Sequence, residues 1–416
     1  MPRPKVTVTV MNDLLGLQEP SAFGTCAILV ASPVAPVAGY GVPFIVRNKK
    51  QVATAFAQAG NEIVVWAINN GFYLEAPEGN KTYIIAMART TPLATMFTEA
   101  NANPVLNLAN GDIRLVGAVK FPAGTYVPVI ASGFDTDCHA AVIAGQTLSN
   151  IWFGKKKPFR FFVQQFAFVS SATALDYEDT ANRNGHIVVG TVSDGAQTDN
   201  GARALLLALG RASRIQPQQN MGRIKTGSIK IPETDVVKIA ATDVEQMASA
   251  DLDELWDKRY ITFEKNETGS GFVFNDDNSL TTVSDDFNNL RYGRVIDNAT
   301  RVAYGTYYNE LKDDVDVDDN GRIATAIEKA LETAIETDID EAMRFQLSKK
   351  KDGTADVTCL VNPDPTKYAA LYAANDIVNP NFNIIQTNQV YIFVLLKPKG
   401  CLKYLNVFLG LTATAV

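Results

Sequence analysis

Apolar and polar positions alternate in the chain with two different periods. Residues 4–10, PKVTVTV, alternate strictly and predict an edge-type β-strand. Thr25–Ser32 (TCAILVAS) is apolar throughout, the pattern of a strand buried on both faces. GVPFIVRN predicts a strand, with Asn48 as a cap for a short helix carrying Val52, Ala55 and Phe56. The run from Glu62 reads as a helix or strand ending at Gly71, and TYIIAMA as another core strand. From Leu93, helical character is followed by a strand from Ile113 and a helix bearing Val142, Ile143, Leu148 and Ile151. Then come strands at Phe159–Val169 and GHIVVGTVSD, and a helix, ARALLLALGRASRI, bracketed by Gly201 and Gln216-Pro217. Residues 93–250 therefore predict an open α/β domain, flavodoxin-like or Rossmann-like in outline.

Beyond residue 250 the periods change. ITFEK and GFVFND predict a strand pair whose turn is built on Asn266, Gly269 and Gly271. Ser284 stands where an N-cap belongs, with Asp285 and Asp286 in the first turn. From Leu290, the residues Val295, Ala299, Val302, Ala303 and Thr306 recur at helical spacing, opposite Arg291, Arg294, Asp297, Arg301 and Glu310. A second long helix is expected over Asp318–Phe345, with Ile323, Ile327, Leu331, Ala334 and Ile339 as its buried stripe. ADVTCLVN alternates as a strand, and residues 388–411 predict a hairpin turning at Lys397-Pro398-Lys399-Gly400. The ending LTATAV is again short and strand-like.

Composition narrows the class. The 416 residues leave room for two or three domains, and 46% apolar with 20% charged content describes a globular chain. A net charge of −7 argues against a nucleic-acid binder. Lys155–Lys157 and Lys349–Lys351 are short clusters, read as solvated ends or as contacts for an acidic neighbour. The N-terminus lacks the apolar core of a signal peptide, and the runs AFGTCAILVA and VYIFVLL are too short to span a bilayer. Cys26, Cys138, Cys359 and Cys401 lie far apart, as reduced cysteines do in a protein made in the cytoplasm.

Chemistry is sparse. Asp316–Ile323 (DVDDNGRI) fits the opening of a calcium loop, but its twelfth position is Ile327 rather than glutamate. An acidic turn capping the second helix explains the same residues. Asp135, Asp137, Cys138 and His139 have no second Cys/His pair with which to complete a metal site. No G-x-S-x-G motif is present, GSGF (269–272) lacks a phosphate loop's glycines, and Asp176, Glu178 and Asp179 lie in a polar loop. The expectation is a non-enzymatic protein with no cofactor and no metal.

The strand pair and aspartate-led helix of residues 259–311 resemble the C-terminal domain of contractile tail sheath proteins of phage tails, R-type bacteriocins and injection systems. The resemblance extends over GVPFIVRN with QVATAF, TYIIAMART, RFFVQQFAFV through GHIVVGTV, and QPQQNMGRIKTGSIKI. It implies an N-terminal arm (1–20), an outer α/β region (21–250), an inner α+β core (251–400) with two long helices and strand hairpins, and a C-terminal arm (401–416). It implies a structural subunit whose hexameric rings stack into a helical sheath around an inner tube, with baseplate and tail-terminator partners, and contract. The arms would add strands to neighbouring subunits, with Val6, Val8, Val10, Val407, Leu409 and Leu411 as donated residues. Arg291, Arg294 and Arg301 would contact the tube or ring, or else form intrahelical pairs such as Arg294 with Asp297. Neither nucleic acid nor membrane insertion is expected. The alternatives are another phage structural protein, such as a capsid or baseplate component, and an α/β nucleotide-binding enzyme, against which the missing glycine fingerprint counts.

Overall fold

The computed structural model describes residues 24–195, 200–308 and 310–403. The chain divides into two compact units, residues 1–301 and 302–416. The boundary falls between Arg301 and Val302, not near residue 250, because strands after residue 260 join the sheet begun at Cys26.

The first unit is built on eight strands: β1 (Cys26–Ser32), β2 (Phe44–Val46), β3 (Thr82–Ala88), β4 (Leu115–Lys120), β5 (Arg160–Gln164), β6 (Gly185–Val189), β7 (Ile261–Lys265) and β8 (Phe272–Phe274). Their order is β8-β7-β6-β5-β4-β1-β3-β2. All neighbouring pairs are parallel except β2 with β3 and β7 with β8. Taken in chain order, the six parallel strands run 2-1-3-4-5-6, a flavodoxin-like doubly wound sheet. The α/β expectation holds, and the sheet reaches further toward both ends of the chain than residues 93–250. Helices cover both faces, so β1 and β4 are buried along their whole length and read as continuous apolar runs.

Helix α1 (Thr136–Gly154) packs on β5, where Gly145 lies so close to the Phe161 ring that a Cβ would stand 2.5 Å from it. Helix α2 (Ala202–Arg214) is buried nearly all round, between the sheet and the helical stretch of residues 62–75. That stretch does not stop at Gly71: Glu62–Ala67 runs into a wider π turn, Ile68–Phe72, and on to Glu75. Two α2 arginines are buried with it. Arg203 pairs with Asp235 at 2.5 Å, and Arg211 with Glu75 at 3.2 Å. Burial of such ions is sustained only by partners of this kind.

The strand pair β7–β8 turns where expected, with Asn266 N–H donating to the Gly271 carbonyl at 2.9 Å. Helix α3 (Leu290–Tyr308) follows, but Ser284 is not its cap. Asp285 accepts from Phe287 N–H at 2.8 Å in a separate turn, and the first N–H groups of the helix are instead taken up by Asp277. The Asp277 carbonyl accepts from Leu290 N–H (2.8 Å) and its carboxylate from Arg291 N–H (3.0 Å).

In the second unit, α4 (Thr325–Met343) packs on an antiparallel pair, β9 (Val357–Val361) and β10 (Ile392–Leu396). Its buried residues are Ile335, Ile339, Asp340 and Met343; Ala334, expected in the stripe, is exposed. Residues 397–399 do not form the expected turn. They stay extended along Gln346–Ser348, with Lys399 N–H on the Gln346 carbonyl (3.3 Å) and Ser348 N–H on that of Lys397 (2.9 Å).

Candidate functional site

The three arginines expected to face a partner are committed within the first unit. Arg291 and Arg294 are each 3% exposed. The Arg291 guanidinium pairs with Asp277 and lies 3.7 Å from Asp276. Arg294 donates to the Ile215 carbonyl at 3.3 Å; burial lowers its pKa to about 10, which leaves it charged at neutral pH. Arg301 donates to the carbonyls of Gly111, Ile113 (3.1 Å) and Pro158 (2.5 Å). Asp297 is held at both oxygens by Arg160 rather than reserved for Arg294. The expectation failed because both faces of this part of α3 are covered, one by apolar packing and the other by ion pairs.

In a doubly wound sheet, ligands usually bind beyond the carboxyl ends of the strands where the winding reverses, between β1 and β4 in this chain. That position is filled by Lys120, the last residue of β4. Its amine contacts Asp137 (2.9 Å), Asp135 (3.4 Å) and Tyr126 Oη (3.3 Å), and lies over the Tyr126 and Phe166 rings. Tyr126 donates to Asp135 at 2.5 Å, and Asp137 accepts from Leu93 and Ala94 N–H at 2.8 and 3.2 Å. Burial disfavours the ammonium, but Asp137 and Asp135 outweigh it and raise its pKa. Each polar group in this cluster is spent on another.

The remaining polar candidates have local work. His139 bonds Tyr177 Oη (2.8 Å) and the Ser132 carbonyl (3.2 Å), and burial pushes the Cys138 thiol up to about 12. Glu178 accepts from Val283 N–H (2.7 Å) and Thr282 (2.9 Å), pinning a loop. Asp318 accepts from Asn320 and Arg322 N–H at 2.8 and 2.9 Å, closing the acidic turn on itself. Among the described residues no group of three His, Cys, Asp or Glu side chains is placed to hold a metal ion, and no helix is long and apolar enough to cross a membrane.

The second unit carries a feature that the sequence reading missed. Glu332 and Glu336 of α4 accept from the N–H groups of Val361 (3.1 Å) and Cys359 (2.9 Å), and Asp340 accepts from that of Ala355 (2.6 Å). The signal was present as acids spaced four residues apart, but that spacing also describes any solvated helix face. Strand β10 pairs with β9 on one side; among the described residues no strand pairs with its other side. Val6, Val8, Val10, Val407, Leu409 and Leu411 lie outside the described residues.

The chain as a whole has the fold of contractile sheath subunits. It is similar to the helical sheath protein of the anti-feeding prophage in its contracted state, with TM-score 0.61, 11% identity and 100% of both chains covered. It is similar to the sheath of the PVC extracellular contractile injection system, also contracted, with TM-score 0.61, 9% identity and 99% and 98% covered. A chain of the contracted anti-feeding prophage baseplate matches with TM-score 0.56, 12% identity and 99% of each covered. A family described as the DUF2586 N-terminal domain matches residues 3–278. No curated protein matches the chain in sequence.

Proposed function

The chain belongs to the DUF2586 family, and from that premise and its fold we propose that it is the sheath subunit of a contractile tail or injection particle. One observation carries the reading: full-length correspondence, in both directions, with sheath subunits. The interior supports it. The crevice where a doubly wound enzyme would bind its ligand is occupied by the Lys120 cluster, which has a structural role. Copies would stack as hexameric rings around an inner tube, meeting baseplate and terminator proteins at the ends. The terminal arms would link neighbours by strand addition, which preserves connectivity while contacts between rigid bodies change on contraction.

Negative-stain electron microscopy of the purified, concentrated chain tests this. Hollow ribbed tubes are expected, and deletion of residues 1–12 is expected to abolish them while leaving a folded subunit. Monodisperse small species at every salt and protein concentration would overturn the reading.

A further inference from the structure

The amino ends of the central strands carry more positive charge than their partners neutralise. On α3, Arg294, Asp297 and Arg301 follow at spacings of three and four and share one helix face. Arg160, the first residue of β5, and Arg114, which directly precedes β4, lie against that face. Asp297 gives both its oxygens to Arg160. The second carboxylate within reach of Arg114 is Asp112, which is exposed. Asp277, whose field also reaches Arg294, is paired with Arg291. Four guanidinium groups thus share two carboxylates, leaving an excess of two positive charges. Arg114 bears most of it. Its side chain is half-buried, with Nε and Nη1 enclosed, and it forms no hydrogen bond or ion pair among the described residues. Nearby backbone offers little relief: the Arg114 carbonyl accepts from Arg160 N–H (3.0 Å), and that of Thr25 from Arg114 and Leu115 N–H (2.9 and 3.3 Å). Burial holds the Arg114 pKa below the ordinary guanidinium value, opposed by Asp112 and Asp297. A guanidinium keeps its charge in a protein, and an enclosed charge without an acceptor is costly.

We propose that Arg114 is the principal contact of a site for a divalent oxyanion of the phosphate or sulfate class, at the amino ends of β1, β4 and β5. Such an anion supplies acceptors that a planar guanidinium binds in pairs. Its two charges balance the excess that Asp112 and Asp297 leave. Arg294 and Arg301 supply positive field while their own N–H groups hold the carbonyls of Ile215, Gly111, Ile113 and Pro158. The Nε of Arg301 is a second enclosed donor here without an acceptor among the described residues. The site lies at the opposite end of β4 from the Lys120 cluster, where every polar group already has a partner. The inference is independent of the sheath reading.

Calorimetric titration with inorganic phosphate at pH 7 and fixed ionic strength tests it on three full-length chains. These are wild type, Arg114→Met and Lys50→Met, the last removing an exposed lysine elsewhere as a control for lost charge. Wild type and Lys50→Met are expected to bind phosphate saturably at one site, and Arg114→Met at least about tenfold more weakly. Since the Arg114 side chain bonds nothing within the described chain, Arg114→Met is expected to fold, with a urea midpoint in chloride equal to or above that of wild type. Exchanging chloride for phosphate is expected to raise the wild-type midpoint and leave that of Arg114→Met in place. Absence of saturable binding to wild type, or equal binding by wild type and Arg114→Met, overturns the site. A lower chloride midpoint in Arg114→Met would reveal a partner within the chain and overturn it as well.

Discussion

Arg160 and Asp297 form a two-point ion pair, Nε to Oδ2 at 2.8 Å and Nη2 to Oδ1 at 2.9 Å, between residues 137 apart in sequence. Both side chains are under 10% exposed. The pair ties the first residue of β5 to the middle of α3, and Gly293 makes room for it: a Cβ there would stand 2.4 Å from the Arg160 guanidinium carbon. The charged stripe of this helix is thereby an internal surface.

Asp297→Ala is expected to lower the stability of the first unit by about 3–5 kcal/mol, because it leaves a buried guanidinium without its counter-charge. Arg160→Met combined with Asp297→Leu is expected to cost less than the sum of the single changes. Urea titrations of wild type, Asp297→Ala, Arg160→Met, Asp297→Leu and the double variant measure both; a loss under about 1 kcal/mol in Asp297→Ala would contradict the burial argument.

Lys120→Met removes the cation shared by Asp135 and Asp137 and is expected to cost about 3–5 kcal/mol at neutral pH. Urea midpoints of the two chains at pH 7 give the comparison, and a loss under about 1 kcal/mol would contradict it.

His186 is fully buried beside Phe162, its Nδ1 2.8 Å from the Asn278 carbonyl, and burial pushes its pKa down to about 3. The unfolded imidazole takes a proton near pH 6.5 and the folded one does not. Stability from this group is complete above the unfolded pKa and is lost as pH falls toward 3. The loss between pH 7 and pH 5 is expected to be about 2 kcal/mol relative to His186→Phe, read as the difference in pH slope between the two chains.

Cys26, Cys138 and Cys359 are buried and Cys401 is exposed. Burial raises the pKa of all three buried thiols. Brief maleimide treatment of the native subunit is expected to add one label, at Cys401, and treatment in denaturant to add four. Rapid native labelling of Cys26, which lies in β1, would contradict its placement in the central sheet.

Periodicity alone was enough for the elements that bury a face or both faces. The apolar runs at Cys26–Ser32 and Thr82–Ala88, the helices at Thr136–Gly154 and Leu290–Tyr308, and the doubly wound outline all follow from spacings of two and three-to-four residues. The sheath resemblance rests instead on likeness to that family along segments such as GVPFIVRN, TYIIAMART and GHIVVGTV. What periodicity does not carry is where polar side chains find partners. Arg291, Arg294 and Arg301 have the spacing of a solvent face, yet the residues that cover them, among them Asp277, Ile215 and Gly111, come from distant stretches. The unit boundary at Arg301, the filled crevice at Lys120 and the carboxylate row on β9 are likewise products of non-local pairing. A helical face shows its own charges in sequence; whether they meet water or a buried partner is decided only when the chain brings a second element against it.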